Sequence, residues 1–414
     1  MLVGTNLQYA NSYNNRIVLE TIRLYGPLSR VEIARKTQLT AQTVTNITKK
    51  LIDGGLVLED SRCQDGRGAP SIMLKLNKDA AYSIGIDFDR DHMTTVMLNL
   101  KGEICQQANI DLDFPSPDEA ITRMCDTANE QIEAQGIERD RIWGLGVVLP
   151  GPMTTSKGSA NVNLANPEAL PGWDDVPVVA KLEKCLGIPV VLENNASAAA
   201  MGEHWYGRGK HVRSFFYTYF GAGLGGGLVI NGQLYSGHTG NAGELGYFPT
   251  PIFPDQHNTC EHDHLGGFFN MPTLQRKMRN AGYPFTTLDE LNHYFHDNNP
   301  LLLEWLDTGA HYLTPLILGI EYLVDPEVIF FGGRIPDPML NALLEKLENA
   351  LPSHRIDRKT ERPRFQIASA GIDAAALGVA TLPLYTSFAP LPKLLMKQHR
   401  HGTDTFARSY MTEK

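Results

Sequence analysis

Residues 29–47 read SRVEIARKTQLTAQTVTNI and contain two helix starts in close succession. Ser29 and Glu32 have capping-box spacing, in which the serine caps the first free amides of a helix and the glutamate caps the amide of the serine. A short helix is therefore expected up to about Lys36. After a short turn, Thr40 is a suitable N-cap for a further helix. Two short helices joined in this way favour a helix-turn-helix.

The flanking sequence completes an N-terminal unit. Apolar residues near helical spacing predict a helix over 14–25. The second helix of the pair is expected to end near residue 53, where two glycines follow. Strands are predicted over 56–60 and 71–76, and the glycine-rich segment between them, which carries arginines, forms a wing. These elements predict a winged helix-turn-helix over residues 1–80, which we call the head.

The helix that follows Thr40 is expected to have one apolar and one polar face. Val44, Ile47 and Leu51 share a face and predict a packed back. On the other side, Gln or Asn can form two hydrogen bonds with adenine, and Thr can contact a thymine methyl group. A lysine there reaches phosphates, and an arginine in the wing suits a narrow minor groove. The predicted DNA contacts are Gln42, Thr43, Thr45, Asn46, Lys49 and Arg67. The alternative is a small helical bundle with a solvated polar face.

The charge distribution favours nucleic-acid binding by the head. The chain of 414 residues has a net charge of −9, yet residues 1–80 contain 11 Lys or Arg against 7 Asp or Glu. The head therefore carries +4, and the remaining residues carry −13. A basic head on an acidic body is typical of a protein whose head binds DNA.

Composition and cysteine usage exclude several classes of protein. Hydrophobic residues make up 42% and charged residues 20%, which is typical of a globular chain rather than a disordered or fibrous one. The five cysteines are scattered and form no CxxC, which argues against a disulfide framework and fits a reducing cytoplasm. The first residues contain no apolar signal-peptide core. The longest uncharged run, between Arg213 and Glu244, is too rich in glycine and polar residues for a membrane span.

Beyond the head, strands alternate with helices and predict an α/β body with mixed sheets. The expected strands are 82–88, 94–100, 104–112, 142–148, 189–192, 214–220, 227–230 and 328–331, with helices over 119–135 and 196–205. A glycine-rich turn over 221–227 connects two of these strands. Its backbone amides could approach a phosphate closely, or it could be no more than a tight hairpin.

The chain resembles the ROK family of repressors, open reading frames and sugar kinases, and within it the DNA-binding regulators, from about residue 10 to about residue 385. The matching motifs are SRVEIARKTQLTAQTVTNI, GRGAP at 66–70, LPGP at 149–152, FGAGLGGGLVINGQLYSG at 220–237, NAGELG at 241–246 and DPEVIFFGG at 325–333. The resemblance implies a two-lobed, actin-like, sugar-kinase-like α/β fold over residues 81–390, followed by a C-terminal tail over 391–414. It also implies that an effector bound in the body alters the grip of the head on an operator.

Two motifs depart from those of the kinases that the chain resembles. Such kinases carry Glu-Asn-Asp with the final Asp as base, where this chain has Glu193, Asn194 and Asn195. Their first phosphate motif, Asp-x-Gly-x-Thr, is replaced by DFDRD at 87–91, with a carboxylate in place of the glycine. A neutral amide cannot accept the proton, and such a base is typically worth about 10²–10⁴ in rate. We therefore expect no enzyme activity, no catalytic residue and no cofactor.

The family's sugar-binding motif, Gly-x-x-Gly-Glu-x-Gly-His, is partly retained. Glu244 is in place, Tyr247 stands where the histidine would be, and Asn194 stands at a sugar-contacting position of the family. The resemblance implies effector binding by Asn194, Asn195, Glu244 and Tyr247. The alternative is that Glu244 and Asn194 are structural hydrogen-bond partners. A further acidic contact of the family is absent from 267–270, so the effector need not be that of glucose-binding relatives.

A histidine-rich loop, HNTCEHDHLGG at 257–267, matches the place where many ROK members hold a structural zinc. His257, Cys260, His262 and His264 could supply imidazole and thiolate ligands, although their spacing is unusual. The alternative is a polar loop that is solvated or packed on a neighbouring subunit. We assign no metal site here.

The expected protein is a cytoplasmic, DNA-binding transcriptional regulator that represses a carbohydrate-utilisation operon. As a homodimer or homotetramer it would bind an inverted repeat in double-stranded operator DNA. A sugar or sugar phosphate would act as effector by favouring one conformation of the body, and no membrane partner is expected. Two other functions stay open: an active ROK sugar kinase with an appended DNA-binding head, and an architectural DNA-binding protein that ignores effectors.

Overall fold

A computed structural model describes residues 7–63, 71–89, 91–113, 115–155, 163–164, 170, 172–173, 176–249, 264–355 and 362–388. Among these residues, no helix is both long and apolar enough to cross a membrane. The predicted wing contact Arg67, the loop residues His257, Cys260 and His262, and the C-terminal tail lie outside the described residues.

The head has the three helices and two strands that its sequence predicts, together with a two-residue strand that was not predicted. Its elements are α1 (Leu7–Tyr25), β1 (Leu28–Ser29), α2 (Arg30–Thr37), α3 (Ala41–Asp53), β2 (Val57–Cys63) and β3 (Ser71–Leu76). The three strands form an antiparallel sheet in the order β1-β3-β2. The first helix begins at Leu7, several residues before its expected start.

Capping contacts confirm the predicted starts of α2 and α3. The Ser29 hydroxyl accepts from the Glu32 amide at 3.3 Å, and the Glu32 carboxylate accepts from the Ser29 amide at 2.7 Å. The Thr40 hydroxyl accepts from the Thr43 amide at 3.2 Å. Each contact satisfies an amide that the helix itself leaves unpaired, which fixes where the helix begins.

The first lobe of the body is a five-stranded sheet with helices packed on it. Its elements are β4 (Tyr82–Phe88), β5 (His92–Asn99), β6 (Ile104–Asp111), α4 (Pro117–Ala134), β7 (Ile142–Leu149), β8 (Thr154–Thr155), β9 (Asn163–Leu164), α5 (Val178–Leu186), β10 (Val190–Asn194) and α6 (Asn195–Tyr206). The strand order is β10-β7-β4-β5-β6. The pairs β10–β7 and β7–β4 are parallel, whereas β4–β5 and β5–β6 are antiparallel.

The second lobe repeats this mixture of pairings. Its elements are β11 (Phe215–Phe220), β12 (Leu224–Ile230), β13 (Gln233–Leu234), α7 (Leu265–Phe268), α8 (Met271–Asn280), α9 (Leu288–His296), α10 (Pro300–Leu323), β14 (Val328–Gly333), α11 (Asp337–Ala350), β15 (Arg364–Ile367) and α12 (Ala374–Phe388). The strand order is β13-β12-β11-β14-β15, with β11, β14 and β15 parallel. Two such sheets with helices around them give the expected two-lobed α/β fold.

Helices α6 and α12 pack closely together between the lobes. A Cβ atom on Gly378 of α12 would collide with the backbone carbonyl of Ala198 in α6. A Cβ atom on Gly146 of β7 would likewise collide with the carbonyl of Val379. Glycine at these positions lets backbones touch, so α6, α12 and the first sheet move as one packed unit.

The strand after the glycine-rich turn begins earlier than predicted. The expected start was residue 227, but β12 begins at Leu224, and its glycines pair with β11. A Cβ atom on Gly227 would lie 2.5 Å from the backbone oxygen of Ala196 and 2.6 Å from the Cβ atom of Ala200. These glycines therefore admit α6 against the sheet, which a local turn signal could not reveal.

Two of the five cysteines are paired in the first lobe. Cys125 of α4 and Cys185 of α5 are joined as a disulfide, with their Cα atoms 6.5 Å apart. A single pair does not amount to the disulfide framework that the sequence argues against. The two residues are separated by 60 positions in sequence and meet because α5 packs against α4.

Candidate functional site

The polar face of α3 is on the surface of the head. Val44, Ile47 and Leu51 are buried in the core of the head, as their spacing predicts. The exposed side carries Gln42, Thr45, Asn46 and Lys49. The face therefore presents two amides, a hydroxyl and an ammonium group to the solvent, the groups used to contact bases and phosphates.

Two internal contacts order this face. The Gln42 amide donates to the Asn46 side-chain oxygen at 3.1 Å, so the two amides form one unit. The Thr43 hydroxyl lies 2.8 Å from the Thr40 hydroxyl at the helix start, and Thr43 is only half-exposed. Thr43 thus supports the cap of α3, and its predicted DNA contact stays a prediction.

The body contains a cleft of about 350 Å³ between the lobes. It is bordered by the β7 end, the β10–α6 junction, the β11–β12 turn, the segment before α7, and α8. Small-molecule sites in open α/β sheets lie at the carboxyl ends of the strands, which is where β7 and β10 end here. The volume is that of a site for one small ligand. Its polar lining residues are Asn195, Glu244, Tyr247, His264, Asn270, Thr273 and Arg276.

Glu244 lines the cleft with a partly desolvated carboxyl group. Burial raises the pKa of Glu244 to about 7. A Cβ atom on Gly151 would lie 2.6 Å from its Oε1 atom, so the Gly151 backbone lies directly beside this carboxyl group. The LPGP motif and the NAGELG motif therefore meet at this point, with Glu244 held where it can bond a ligand hydroxyl.

The two asparagines at the start of α6 have different roles. The Asn194 side chain accepts from the Ser197 amide at 2.7 Å and caps α6, and Asn194 is 2% exposed. Asn194 is not among the residues that line the cleft, which favours the structural alternative, and its predicted effector contact stays a prediction. Asn195 does line the cleft, and its side-chain oxygen accepts from the Ala196 amide at 3.0 Å.

Tyr247 lies at the opening of the cleft and stacks on His264. Their ring centroids are 5.5 Å apart with an interplanar angle of 13°. Tyr247 is 45% exposed, so one face of an aromatic ring is accessible to a ligand. Within the described part of the chain, no three His, Cys, Asp or Glu side chains are grouped as metal ligands.

We call Asn195, Glu244 and Tyr247, which line the cleft, the sugar side. Asp87, Asp89 and His92 are not among the residues that line it, and we call them the phosphate side after the family's phosphate motif at 87–91. The phosphate-side residues are 6%, 8% and 9% exposed and lie at the β4–β5 turn. The pKa of Asp87 is raised to about 6, mainly by burial and also by the Asp89 carboxylate, although His92 and Arg334 act in the opposite direction. Arg334 directly follows β14 of the second lobe. Charges from both lobes therefore lie close together at the β4–β5 turn.

His92 balances part of this acidity. Its Nδ1 atom lies 2.7 Å from the Asp91 carboxylate. Burial opposes the charged imidazole, but the hydrogen bond to Asp91 and the charges of Asp87 and Asp89 raise the pKa of His92 overall. The phosphate side is therefore a compact set of paired charges, whereas the sugar side borders open space.

Three charged or titratable residues of the cleft and of the β4–β5 turn were not predicted from the sequence. In the sequence, Arg276 looks like an ordinary solvent-exposed cation on a helix. Arg334 and His92 belong to no motif. The glycine pair before Arg334 marks the end of a strand, but it does not reveal that Arg334 comes close to Asp87. Their grouping depends on how the lobes pack.

Comparisons with known proteins agree with this fold. Residues 83–385 match the model of the ROK family. A putative xylose repressor of Caldicellulosiruptor sp. is 33% identical over 248 residues, covering 60% of this chain and 61% of that protein. The xylose repressor of Bacillus spizizenii is 25% identical over 380 residues, covering 90% and 95%. A glucokinase of Halalkalibacterium halodurans is 25% identical over 317 residues, covering 72% and 93%.

A solved structure covers nearly the whole chain. The crystal structure of a ROK family transcriptional regulator, a homologue of the E. coli MLC protein, superposes with a TM-score of 0.72 at 21% identity. It covers 94% of this chain and 99% of that one, so the likeness includes the head as well as the body. The family model spans most of the body, from the first strand β4 into α12, and the chain belongs to the ROK family.

Proposed function

We propose that the protein is a transcriptional repressor of the ROK family that controls carbohydrate use, and that its cleft binds a sugar-class effector without phosphorylating it. The observation that carries the proposal is the combination of an exposed amide-rich helix, α3, with a body whose cleft retains Glu244 but has Asn195 at the position of the base. The similarity to xylose repressors over nine-tenths of the chain supports it.

Residues on both the sugar side and the phosphate side support the proposed absence of catalysis. The Asn195 amide cannot take a proton from a sugar hydroxyl, and an absent base costs about 10²–10⁴ in rate. On the phosphate side, the Asp89 carboxylate stands where the family motif has glycine and would oppose a triphosphate by charge and bulk. Phosphoryl transfer depends on positioning and on neutralising the phosphates, and an added carboxylate at Asp89 works against both.

Two copies of the head are needed to bind an inverted repeat, so we propose a homodimer or a homotetramer as the functional form. An apolar stripe on α10 supports this. Tyr322 and Leu323 are 42% and 88% exposed, and the half-buried Pro315 and Leu318 extend the same face at helical spacing. Exposed apolar stripes of this kind mark protein–protein contacts. A cytoplasmic location follows from binding chromosomal DNA.

Helix α6 provides a physical path from the cleft to the head. It begins at Asn195 in the cleft and carries Trp205 in its last turn. The Arg23 guanidinium of α1 lies 4.1 Å from the centroid of the Trp205 ring. The buried Arg16 of α1 donates to the Thr386 carbonyl of α12 at 2.7 Å. A shift of the packed α6–α12 unit on ligand binding would therefore move α1 and the head with it.

Genomic footprinting with and without candidate sugars tests the proposal. We expect protection of an inverted repeat near the protein's own gene and weaker protection when an effector is added. Purified protein should also give no ADP above background in a coupled assay with ATP and a sugar panel. Saturable turnover above about 1 s⁻¹, an ordinary enzyme rate, would instead establish a sugar kinase with an appended head.

Single changes on α3 test the assignment of its face. Gln42→Ala or Asn46→Ala should cost about 1–3 kcal/mol of operator binding and relax the preference at one base pair, measured on a set of single-base operator variants. Because the two amides are hydrogen-bonded to each other, the double variant should lose less than the sum of the two single losses. Lys49→Ala is the control and should weaken binding to all sequences alike. The reverse pattern would show that α3 does not enter the major groove.

A further inference from the structure

The cleft contains a cation that binding of a neutral sugar does not require. Arg276 lies on α8 and lines the cleft together with Pro272 and Thr273, which are four and three positions earlier on the same helical face. Among the residues that the structure describes, none forms an ion pair or hydrogen bond with the Arg276 guanidinium. A guanidinium group presents five donors in a planar fork that matches carboxylate and phosphate oxygens.

The start of α8 does not itself supply donors for an anion. The Thr273 amide donates to the Asn270 side chain at 2.7 Å, and the Met271 amide donates to the Gly221 carbonyl at 3.1 Å. Pro272 has no amide hydrogen, and the Thr273 hydroxyl donates to the Gly267 carbonyl at 3.1 Å. The backbone and side-chain donors of this first turn are therefore already used, so recognition of a negative group depends on Arg276.

The acidic content of the lining is low. Glu244 is the one carboxylate among the described residues that line the cleft. At position 270, where the family resemblance implies an acid, this chain has an asparagine whose oxygen and amide are both used within the α7–α8 segment. Glu244 and Asn195 suffice for ligand hydroxyls, which leaves Arg276 without a role in holding a neutral sugar.

We propose that the effector is an anionic sugar derivative, a sugar phosphate or a sugar acid, whose charged group pairs with Arg276 while its hydroxyls bond Glu244 and Asn195. The inference rests on the proposed function, because it names the ligand class of the same cleft. One small ligand can reach all three residues, since they border a single cleft of about 350 Å³. The β11–β12 turn, with Ala222 and Gly223, borders the same cleft and leaves room beside the ligand.

Matched sets of compounds test this inference by thermal shift and calorimetry on the full-length protein. Each set contains a sugar, its terminal phosphate and its uronic acid, as in D-glucose, D-glucose 6-phosphate and D-glucuronate, with the corresponding galactose, mannose and xylose compounds. We expect one phosphate or one acid to bind at least tenfold more tightly than its neutral parent, as a charge-assisted hydrogen bond requires. The two charged arms distinguish phosphate from carboxylate as the recognised group. Inorganic phosphate alone should give a much smaller shift.

Variants on α8 attribute the effect to one side chain. Arg276→Ala should lose at least tenfold in affinity for the charged compound, and Arg276→Lys should lose less. Arg279→Ala is the matched control, because Arg279 is exposed on the same helix and is absent from the cleft lining. Its affinity should stay within twofold of the unmodified protein.

The possible failures are distinct. If a neutral sugar binds as tightly as its charged derivatives and Arg276→Ala changes nothing, the inference is wrong while the proposed repressor stands. The same holds if inorganic phosphate shifts the melting temperature as much as any sugar phosphate does. If no compound binds while operator binding persists, the effector-sensing part of the proposed function fails, and this inference fails with it.

Discussion

The two sides of the cleft have changed in opposite ways relative to the kinases that the chain resembles. The sugar side keeps its carboxyl group, Glu244, beside open space. On the phosphate side, Asp87, Asp89 and His92 are each less than a tenth exposed, and Asp89 stands where those kinases have glycine. The proposal that the cleft binds a ligand without phosphorylating it depends on this difference. The predictions below separate the two sides, beginning with the largest expected effect.

Asp87→Asn should stabilise the protein at neutral pH. Asp87 has a pKa of about 6 in the folded protein and a lower ordinary value, so it keeps its proton in the folded state between about pH 4 and pH 6 while the unfolded chain has lost it. Stability from this group is thus present at low pH and is lost as pH rises through the folded pKa. The full cost above pH 7 is up to about 3 kcal/mol, which the amide removes.

Chemical denaturation at pH 7.5 and pH 4 measures this effect. The gain should be present at pH 7.5 and absent at pH 4. Asp126→Asn, on the exposed side of α4, is the control and should change the free energy of unfolding by less than about 0.5 kcal/mol. A destabilised Asp87→Asn variant at pH 7.5 would mean that the charge pairs of the phosphate side favour folding rather than oppose it.

Glu244→Gln should weaken effector binding without affecting operator binding in the absence of effector. The change removes a charged acceptor from the sugar side, which is worth about 1.5–3 kcal/mol, or roughly 10-fold to 150-fold in affinity. Titration calorimetry with the best compound of the panel measures the loss. Asp87→Asn serves here as the matched change on the phosphate side and should stay within twofold. Equal losses in both variants would mean that the ligand spans both sides.

Trp205→Phe should reduce the coupling between cleft and head. The change weakens the stacking of Arg23 on the ring, a contact worth about 0.5–1 kcal/mol near the surface. Effector affinity should be unchanged, while the effector-induced loss of operator affinity should shrink roughly twofold to fivefold. Arg23→Gln should give the same reduction, and the double variant should add nothing, because both changes remove one contact. Full additivity would assign the coupling to other contacts.

Asn195→Asp should have the smallest effect. It restores the carboxylate of the family's base on the sugar side, yet the phosphate side still repels a triphosphate. We expect ADP release to stay at background in the coupled assay with ATP and the sugar panel. Turnover restored by this single change would show that the phosphate side admits ATP and that the base alone was missing.

Local rules predict the head well because its elements are capped within a few residues. Ser29, Glu32 and Thr40 make the expected contacts, and the apolar face of α3 is buried as its spacing predicts. The body follows local rules less closely. The early start of β12 and the pairing of Cys125 with Cys185 both depend on helices that pack from distant parts of the chain.

The candidate site could be predicted only in part, because it too is assembled from distant parts of the chain. Glu244 was found by motif and lines the cleft, whereas the sequence provided no sign that the Asn194 side chain caps α6. No sequence signal identifies Arg276, since an arginine on an amphipathic helix is usually solvated. Its place in the cleft follows from the way the N-terminal end of α8 is held against the β11–β12 turn by the Met271 amide.

Operator binding measured with and without the effector, in the presence of ATP, tests the central claim most directly. Fluorescence anisotropy would follow a DNA fragment from beside the protein's own gene, and a coupled assay would follow ADP in the same sample. We predict that the effector weakens DNA binding at least tenfold while no ADP forms and no effector is consumed. An unchanged DNA affinity together with steady phosphorylation of the compound would contradict the account.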